Sequence, residues 1–534
     1  SNGVIQIITK RGRPGEKAQI TASIKQGGNW MMSPETEYPI NYALLPNGTV
    51  LSQRLYTDEQ ARGFDILQTG LHQEYALSAR GGTSDLGYFL STSFEDKEGI
   101  YVTNTLKKFT ARANVNAQLR ENLTLNTSMG FTTQDYTRAP EGGSVQYGIL
   151  TGIIWGSPTF RDTPTRGFLR APWEETYKIK IGQDVEHVTW SGTLEHRMSD
   201  WFTQRLTVGI DALAEMNYRL YPRMPEGSAH FFGSLSLGQR LVTNQRRDNL
   251  TLDYAATAAF DLRQDLNSAT SFGIQYFARS DGAVTSEGRV FPAPGLETVS
   301  AGSQKFGSET FVENKTFGMF LQERLAWQDR VFLTMAIRAD DNSAFGVEVD
   351  PAFYPKLSGV WVVSEEPFWN VGFLRELRLR GAWGTAGQQP DALASIRTFG
   401  PVAGVGGGAA LLPLNPGNPK LKPERGEELE LGFDASLWDR VTMAFTYYNK
   451  KTKDAIIFKS VPPSTGFSGS QYVNIGEMAN WGQEVELDAE VVQGERFGWD
   501  VGVKFAHTKN EILDLGGIPP ISTGQGRQQI WHRE

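Results

Sequence analysis

The residue types most able to do chemistry are scattered along this sequence. Its six histidines are His72, His187, His196, His230, His507 and His532. No two of them stand at HExxH spacing or at any other recognised metal-ligand spacing. His187 and His196 lie an odd number of residues apart in a stretch that reads as one strand, which turns their side chains to opposite faces. The carboxylate neighbours Glu174 and Glu175, Glu365 and Glu366, and Glu427 and Glu428 fall in loops or at strand ends, where a solvated surface is the expectation. Asp340, Asp341, Asn342 and Ser343 supply oxygen ligands but lack the spaced acidic positions of a calcium loop, so a loop turn is expected there. The glycine run at residues 405–409 has no Lys-Ser or Lys-Thr after it to make a phosphate loop, and a flexible outer loop is expected. With no cysteine in the chain, thiolate metal sites, disulfides and cysteine nucleophiles are excluded together. The reading is a protein with no catalytic residue, no metal site and no cofactor, and therefore not an enzyme.

The elements that would carry any site are strands. Glycine is abundant at 57, aromatics reach 11%, and mean hydropathy is -0.36, with no shift in composition to mark a linker. The longest apolar run, residues 149–155, is far short of the ~18 residues a spanning helix needs. A transmembrane strand needs only ~9–11 residues and turns half of them away from lipid, so a barrel reads as polar on average. The net charge of -8 and the scattered basic residues give no footprint for nucleic acid. Ser1, Asn2, Gly3, Val4 and Ile5 form neither a charged nor an apolar leader region, and the sequence reads as cut at its start.

Period-two alternation is explicit. Over residues 107–118, Phe109, Ala111, Ala113, Val115 and Ala117 share one face while Lys108, Thr110, Arg112, Asn114 and Asn116 share the other. After a turn at 119–122, Leu123, Leu125, Thr127, Met129 and Phe131 continue the pattern as the second arm of a hairpin. The same construction recurs at 250–261 with 269–278, 317–325 with 331–340, 429–437 with 441–450, and 482–492 with 499–508. Connections alternate in length. Short links at 82–85, 119–122, 197–200, 262–268, 326–330 and 438–440 are separated by long ones at 28–70, 134–184, 281–314 and 387–425, as short periplasmic turns and long extracellular loops would be. Residues 230–242 are read as a hairpin within an outer loop, because a further span there would break the alternation. About seventeen spanning strands result. Trp201, Trp327, Trp369, Trp438 and Trp499 all fall at the short-turn side, where an interfacial aromatic belt belongs.

Several segments carry a family resemblance. Residues 1–12, SNGVIQIITKRG, resemble the last plug strand of TonB-dependent receptors of the SusC/RagA type. Tyr354, Pro355, Lys356, Leu357 and Ser358 running into Trp361 and the 364–369 turn SEEPFW are similar to a strand and turn of that family. Residues 378–389 (RLRGAWGTAGQQ), 418–424 (NPKLKPE), the Tyr447-Tyr448-Asn449 strand and 474–482 (NIGEMANWG) follow in the family's order and spacing.

The resemblance implies an all-β, antiparallel up-and-down transmembrane barrel of 22 strands, about 17 of them present here, in the bacterial outer membrane. Residues 1–15 would be the end of the plug domain and its junction, and 16–534 an incomplete barrel without its last strands. It also implies uptake of large nutrients, glycan or peptide oligomers, energised by TonB through a region outside this chain and assisted by a SusD-like surface lipoprotein. Trp155, Trp173 and Tyr177, in a long outer loop, are the expected cargo contacts, against the alternative that they pack the loops onto each other. Two other readings stay open: a passive porin or surface-adhesion barrel, and a secreted β-rich glycan-binding protein.

Overall fold

The computed structural model describes residues 10–140, 147–467 and 469–517. The chain runs β1 (Gln19–Asn29), a small hairpin of β2 (Asn41–Leu44) and β3 (Val50–Gln53), then β4 (Gly70–Gly82), β5 (Leu86–Glu98), β6 (Thr105–Arg120), β7 (Leu123–Arg138), β8 (Lys180–Ser199), β9 (Phe202–Tyr221), β10 (Gln239–Arg263), β11 (Leu266–Arg289), β12 (Gln304–Trp327), β13 (Val331–Asn342), β14 (Ala352–Val362) and β15 (Leu374–Gln388). A second small hairpin, β16 (Thr398–Ala403) with β17 (Ala409–Asn415), precedes β18 (Glu424–Leu437), β19 (Val441–Val461), β20 (Gly469–Gln493) and β21 (Gly498–Asp514). Setting the two small hairpins aside, the strands form one 17-stranded sheet. Each pairs antiparallel with its neighbour in chain order, from β1 with β4 through β9 with β10 to β20 with β21. That is an up-and-down meander, as the alternating connections predicted.

Turn chemistry fixes the short-turn side. Gln328 and Asp329, and likewise Trp438 and Asp439, take positive φ between a donor and acceptor three residues apart, Arg330 N to Trp327 O at 3.0 Å and Arg440 N to Leu437 O at 3.1 Å. These are the mirror-image two-residue turns whose twist matches that of paired strands.

The two faces differ in chemistry. On one face the registers set apolar side chains opposite each other: Phe94 with Phe109, Phe131 with Val188, Val208 with Leu252, Tyr276 with Phe317, Leu321 with Ile337 and Met335 with Leu357. The row continues through Trp361, Leu379, Phe433, Phe445, Val485 and Phe505, each opposite the next. Many of these are large side chains left about half exposed, Leu321 at 52% and Phe505 at 58% among them. A continuous exposed apolar belt of this size is a lipid face and not a water face. Below it lies the aromatic belt: Trp201 stacks on Phe260 with centroids 5.2 Å apart, Trp327 carries Arg330 over its ring, and Trp438 lies 5.9 Å from Phe373.

Some strands are longer than the sequence indicated. Residues 281–289 and 304–314, expected in one long loop, extend β11 and β12, and only 290–303 connect them. At roughly 3.3 Å per residue β10, β11 and β12 reach about 80 Å, far more than a tilted crossing of a ~30 Å hydrocarbon core requires, so their outer halves stand in water. Residues 230–242 are not a hairpin: a 3-10 turn, Gly233–Leu237, leads into β10 at Gln239. Asp340, Asp341 and Asn342 end β13 and do not form a loop turn. Residues 405–409 are the tip of the β16–β17 hairpin, where Gly406 and Gly407 adopt positive φ.

Candidate transport site: lumen wall and outer loop platform

The face opposite the lipid belt is lined with charge and amide. His187 Nε2 lies 3.0 Å from Asp211 Oδ2, and Asn249 donates to Asp211 Oδ1 at 3.3 Å. Arg338 holds Asp340 through Nε at 2.8 Å and reaches across β12 to Gln275 Oε1 at 3.0 Å. It can do so because Gly318 lies between them: a Cβ there would sit 2.2 Å from Asp340 Oδ1 and 2.3 Å from Arg338 Nη2. Between β14 and β20 the same face forms a recess of about 680 Å³, lined among others by Lys356, Glu428, Glu430, Lys450 and Asn480. Polar side chains with donors, acceptors and charges of both signs thus converge on one hollow of the inner wall.

A short segment is seated against this inner wall. The Asn114 amide donates to Lys10 O at 2.7 Å while accepting from Ser128 Oγ at 2.6 Å, and Arg11 reaches Asn126 Oδ1. Gly12 packs directly on the β4–β5 turn, where a Cβ would lie 2.1 Å from Tyr88 O, and Gly82 and Gly87 leave equally little room for residues 12 and 13. Backbone bonds from Gly15 N to Thr83 O at 2.6 Å and from Gly82 N to Glu16 O at 2.9 Å complete the seat. Residues 1–9 of the SNGVIQIITKRG motif lie outside the described residues.

Above the barrel the long loops make a small packed body. Tyr38, Leu55, Tyr56 and Ile66 from the first loop bury against Ala139, Ile149, Ile153 and Phe168 from the third. Helix α2 (Leu55–Ala61) supplies Leu55 and Tyr56, and α3 (Ile149–Ile154), from the apolar run noted in the sequence, supplies Ile149 and Ile153; Tyr38 caps α1 (Pro34–Glu37), and Trp173 at the start of α4 (Trp173–Thr176) packs against the cluster. At its centre Glu59 is fully buried. Its Oε1 accepts from Arg62 and from Arg166 Nε at 3.1 Å, and its Oε2 from Arg166 Nη2 at 2.8 Å and Trp173 Nε1 at 2.9 Å. Arg166 binds Glu174 with its other edge, Nη2 to Oε2 at 2.7 Å. Burial pushes the Glu174 carboxyl up, but the Arg166 hydrogen bond, a backbone hydrogen bond and the nearby charges of Arg166 and Lys178 together outweigh it and hold the group below its ordinary value of 4.5.

The three residues expected to touch cargo are placed differently. Trp155, the C-cap of α3, stands 68% exposed. Trp173 and Tyr177 are partly buried and pack against the loop core, their rings 5.6 Å apart edge to face, and the Tyr177 hydroxyl donates to Ile66 O at 2.6 Å. The carboxylate neighbours expected on a solvated surface are more engaged than that. Glu174 pairs with Arg166, Glu366 accepts from Arg330 at 2.8 Å and Trp361 Nε1 at 2.9 Å, and Glu427 accepts from Trp383 Nε1 at 3.0 Å. His187 faces the lumen, while His196 bonds to Gln204 near the turns; His532 lies outside the described residues. Sequence spacing did not reveal that β4 and β5 bring His72, Glu74 and Glu95 together, with possible ligand atoms within 4.8 Å of one another. Lys25 binds Glu74 at 3.1 Å and Lys97 binds Glu95, so the carboxylates already have cationic partners.

Comparison with known proteins agrees with this architecture. TonB-dependent receptor P26 of Formosa agariphila is 25% identical over 97% of this chain and 54% of its own length, and TonB-dependent receptor SusC of Bacteroides thetaiotaomicron is 23% identical over 97% of this chain and 55% of its own. The chain thus spans about half the length of the curated relatives it matches. The RagAB peptide importer superposes in its closed-closed state with a TM-score of 0.80 at 18% identity, covering 97% of this chain and 64% of that chain, and in its open-open state with a TM-score of 0.80 at 17% identity, covering 98% and 64%. The family model described as TonB dependent receptor-like, beta-barrel, matches residues 56–524; the chain is an outer-membrane β-barrel and belongs to that family.

Proposed function

We propose that this barrel is the conduit of a TonB-dependent importer that takes large polar nutrients, glycan or peptide oligomers, across the outer membrane, and that it is not a catalyst. The observation that carries the reading is the pairing of a continuous lipid belt with a charged inner wall on which residues 10–16 are already seated. Residues 1–15 are the end of the plug and its junction, and 16–534 the barrel. The seat of Gly12 on the β4–β5 turn supports this division, since a passive porin has no use for a chain segment entering its lumen there. TonB is the energy-coupling partner and a SusD-like surface lipoprotein the outer one, a pairing supported by the likeness to SusC and to the RagAB peptide importer.

Capture begins at the outer loops. Trp155 offers an exposed indole plane for a sugar ring or an apolar side chain, with Trp173 and Tyr177 behind it in the loop core. Uptake of labelled oligosaccharides and oligopeptides by cells carrying the full-length receptor tests the reading, with and without TonB. Energy-dependent uptake of one class is expected, and Trp155→Ala should weaken capture more than it alters barrel stability. Equal passage without TonB would replace the importer with a passive pore.

A further inference from the structure

The outer part of β12 is a strand with one side unpaired. β11 accompanies it along its whole length, from Arg289 opposite Gln304 to Leu266 opposite Trp327, with no register shift. β13 joins it only from Thr316, opposite Asn342, to Trp327, opposite Val331. Among the described residues, 304–314 therefore have no strand partner on the β13 side, because β13, β14 and β15 stop lower on the wall. At roughly 3.4 Å per residue this edge is about 40 Å long. Among the described residues the backbone contact at its foot comes from Ser343 N, which donates to Lys315 O at 2.9 Å. Above that point half of the strand's N–H and C=O groups point away from β11.

Natural sheets blunt such edges with proline, a bulge, short length or charged side chains, and of these devices only charge is present here, in Lys305, Glu309, Glu313 and Lys315. This one has neither proline nor bulge over residues 304–314 and is long. Its side chains alternate. Lys305, Glu309, Phe311, Glu313 and Lys315 share the face of the lipid belt, here above the membrane, while Phe306, Thr310 and Val312 share the lumen face; Phe306 and Phe311 are both more than half exposed. A second copy does not fit. Two barrels in one membrane are related by an axis along the membrane normal, which sets two β12 strands parallel and denies them the symmetric antiparallel ladder of an isologous contact. A glycan lacks the repeating amide that an edge recognises. Contact with Ser343 closes the foot of the edge, so an occupant comes down from the outer rim, which is the cargo route.

We propose that residues 304–314 of β12 form a docking strand for extended oligopeptide cargo, which adds to the sheet through its main chain. The proposal rests on the uptake reading above and narrows its substrate class to peptides. Main-chain capture tolerates varied side chains, while the charge pattern favours an acidic residue opposite Lys305 and basic residues opposite Glu309 and Glu313.

The test uses the full-length receptor in lipid nanodiscs and a fluorescent decapeptide alternating threonine with lysine and glutamate. The free peptide should bind, and the same peptide N-methylated at every amide should bind at least tenfold more weakly. Proline is placed in turn at Glu309 and Thr310, neighbours whose N–H groups point to opposite edges. Whichever variant keeps the folded barrel should lose peptide binding at least tenfold. Equal binding of the methylated peptide, or undiminished binding by the folded proline variant, would overturn the proposal. So would displacement of the peptide by oligosaccharide, or a Thr310→Cys receptor, with any cysteine outside these 534 residues replaced, that cross-links the surface lipoprotein and not a cysteine-bearing peptide. Peptide uptake that survives loss of edge binding would sink the docking strand alone; absence of any TonB-dependent uptake would sink the importer reading instead.

Discussion

Arg166→Met removes the cation shared by Glu59 and Glu174 at the heart of the outer loop platform. Glu59 has no exposed surface, and two of its four hydrogen bonds come from Arg166. Removing one partner of a buried pair costs about 3–5 kcal/mol, chiefly because the other charge stays buried. Arg166 retains 24% exposure and Arg62 remains on Glu59 Oε1, so the lower end, about 3 kcal/mol, applies. The clamp joins loops and not barrel strands, so the loss falls on local opening of the platform. At about 1.4 kcal/mol per factor of ten, amides of residues 55–66 and 166–177 should exchange roughly 150-fold faster, while those of β8 to β12 keep their protection. Hydrogen exchange followed by mass spectrometry reads both regions at once. Arg166→Met with Glu59→Gln should recover most of the loss, because no fully buried charge is then left alone and Glu174, 36% exposed, remains in contact with water. Unchanged exchange in the loops, or equal acceleration in the barrel, would refute the clamp.

Acid should loosen the same platform. The Glu174 carboxyl is held below its ordinary 4.5, so its contribution is complete above that pH and is lost as pH falls through the depressed folded value. Loop exchange measured between pH 3 and 6 should show this step, and Glu174→Gln should abolish it. At the junction, Gly12→Val cannot be accommodated 2.1 Å from Tyr88 O, and overpacking of this kind costs about 1–3 kcal/mol. A Lys10→Cys, Asn114→Cys pair, in a chain otherwise without cysteine, should form a disulfide readily with Gly12 and poorly with valine there. On the barrel, Phe445→Arg on the lipid belt should cost about 2–4 kcal/mol in bilayer refolding, while Ala444→Lys on the lumen side should cost far less.

Much of the barrel was legible because lipid enforces it. Alternation at 107–131 and the short links at 328–330 and 438–440 are imposed where one face must be apolar and the return must be tight. That constraint ends at the membrane surface. Residues 281–289 and 304–314 are as regular as any strand, yet with water on both faces either face can be polar, and their sequence reads as loop. The 3-10 turn at Gly233–Leu237 was hidden for the same reason. The platform was less legible still. Glu59 and Arg166 stand in different loops, and no local spacing announces that the third loop folds back to meet the first. Trp173 and Tyr177 drew notice as aromatics, but their hydrogen bonds to Glu59 and Ile66 could be seen only in three dimensions. His72, Glu74 and Glu95 likewise meet only through the register of β4 on β5.

The central claim is that the apolar row running from Phe94 to Phe505 faces lipid in an outer-membrane barrel. The most direct measurement is gel mobility of the full-length protein, extracted in detergent and loaded with and without boiling. A faster-migrating unboiled band that shifts on heating, together with insolubility when detergent is withdrawn, is the predicted result. A protein that stays monomeric and soluble without detergent and runs identically in both lanes would contradict it.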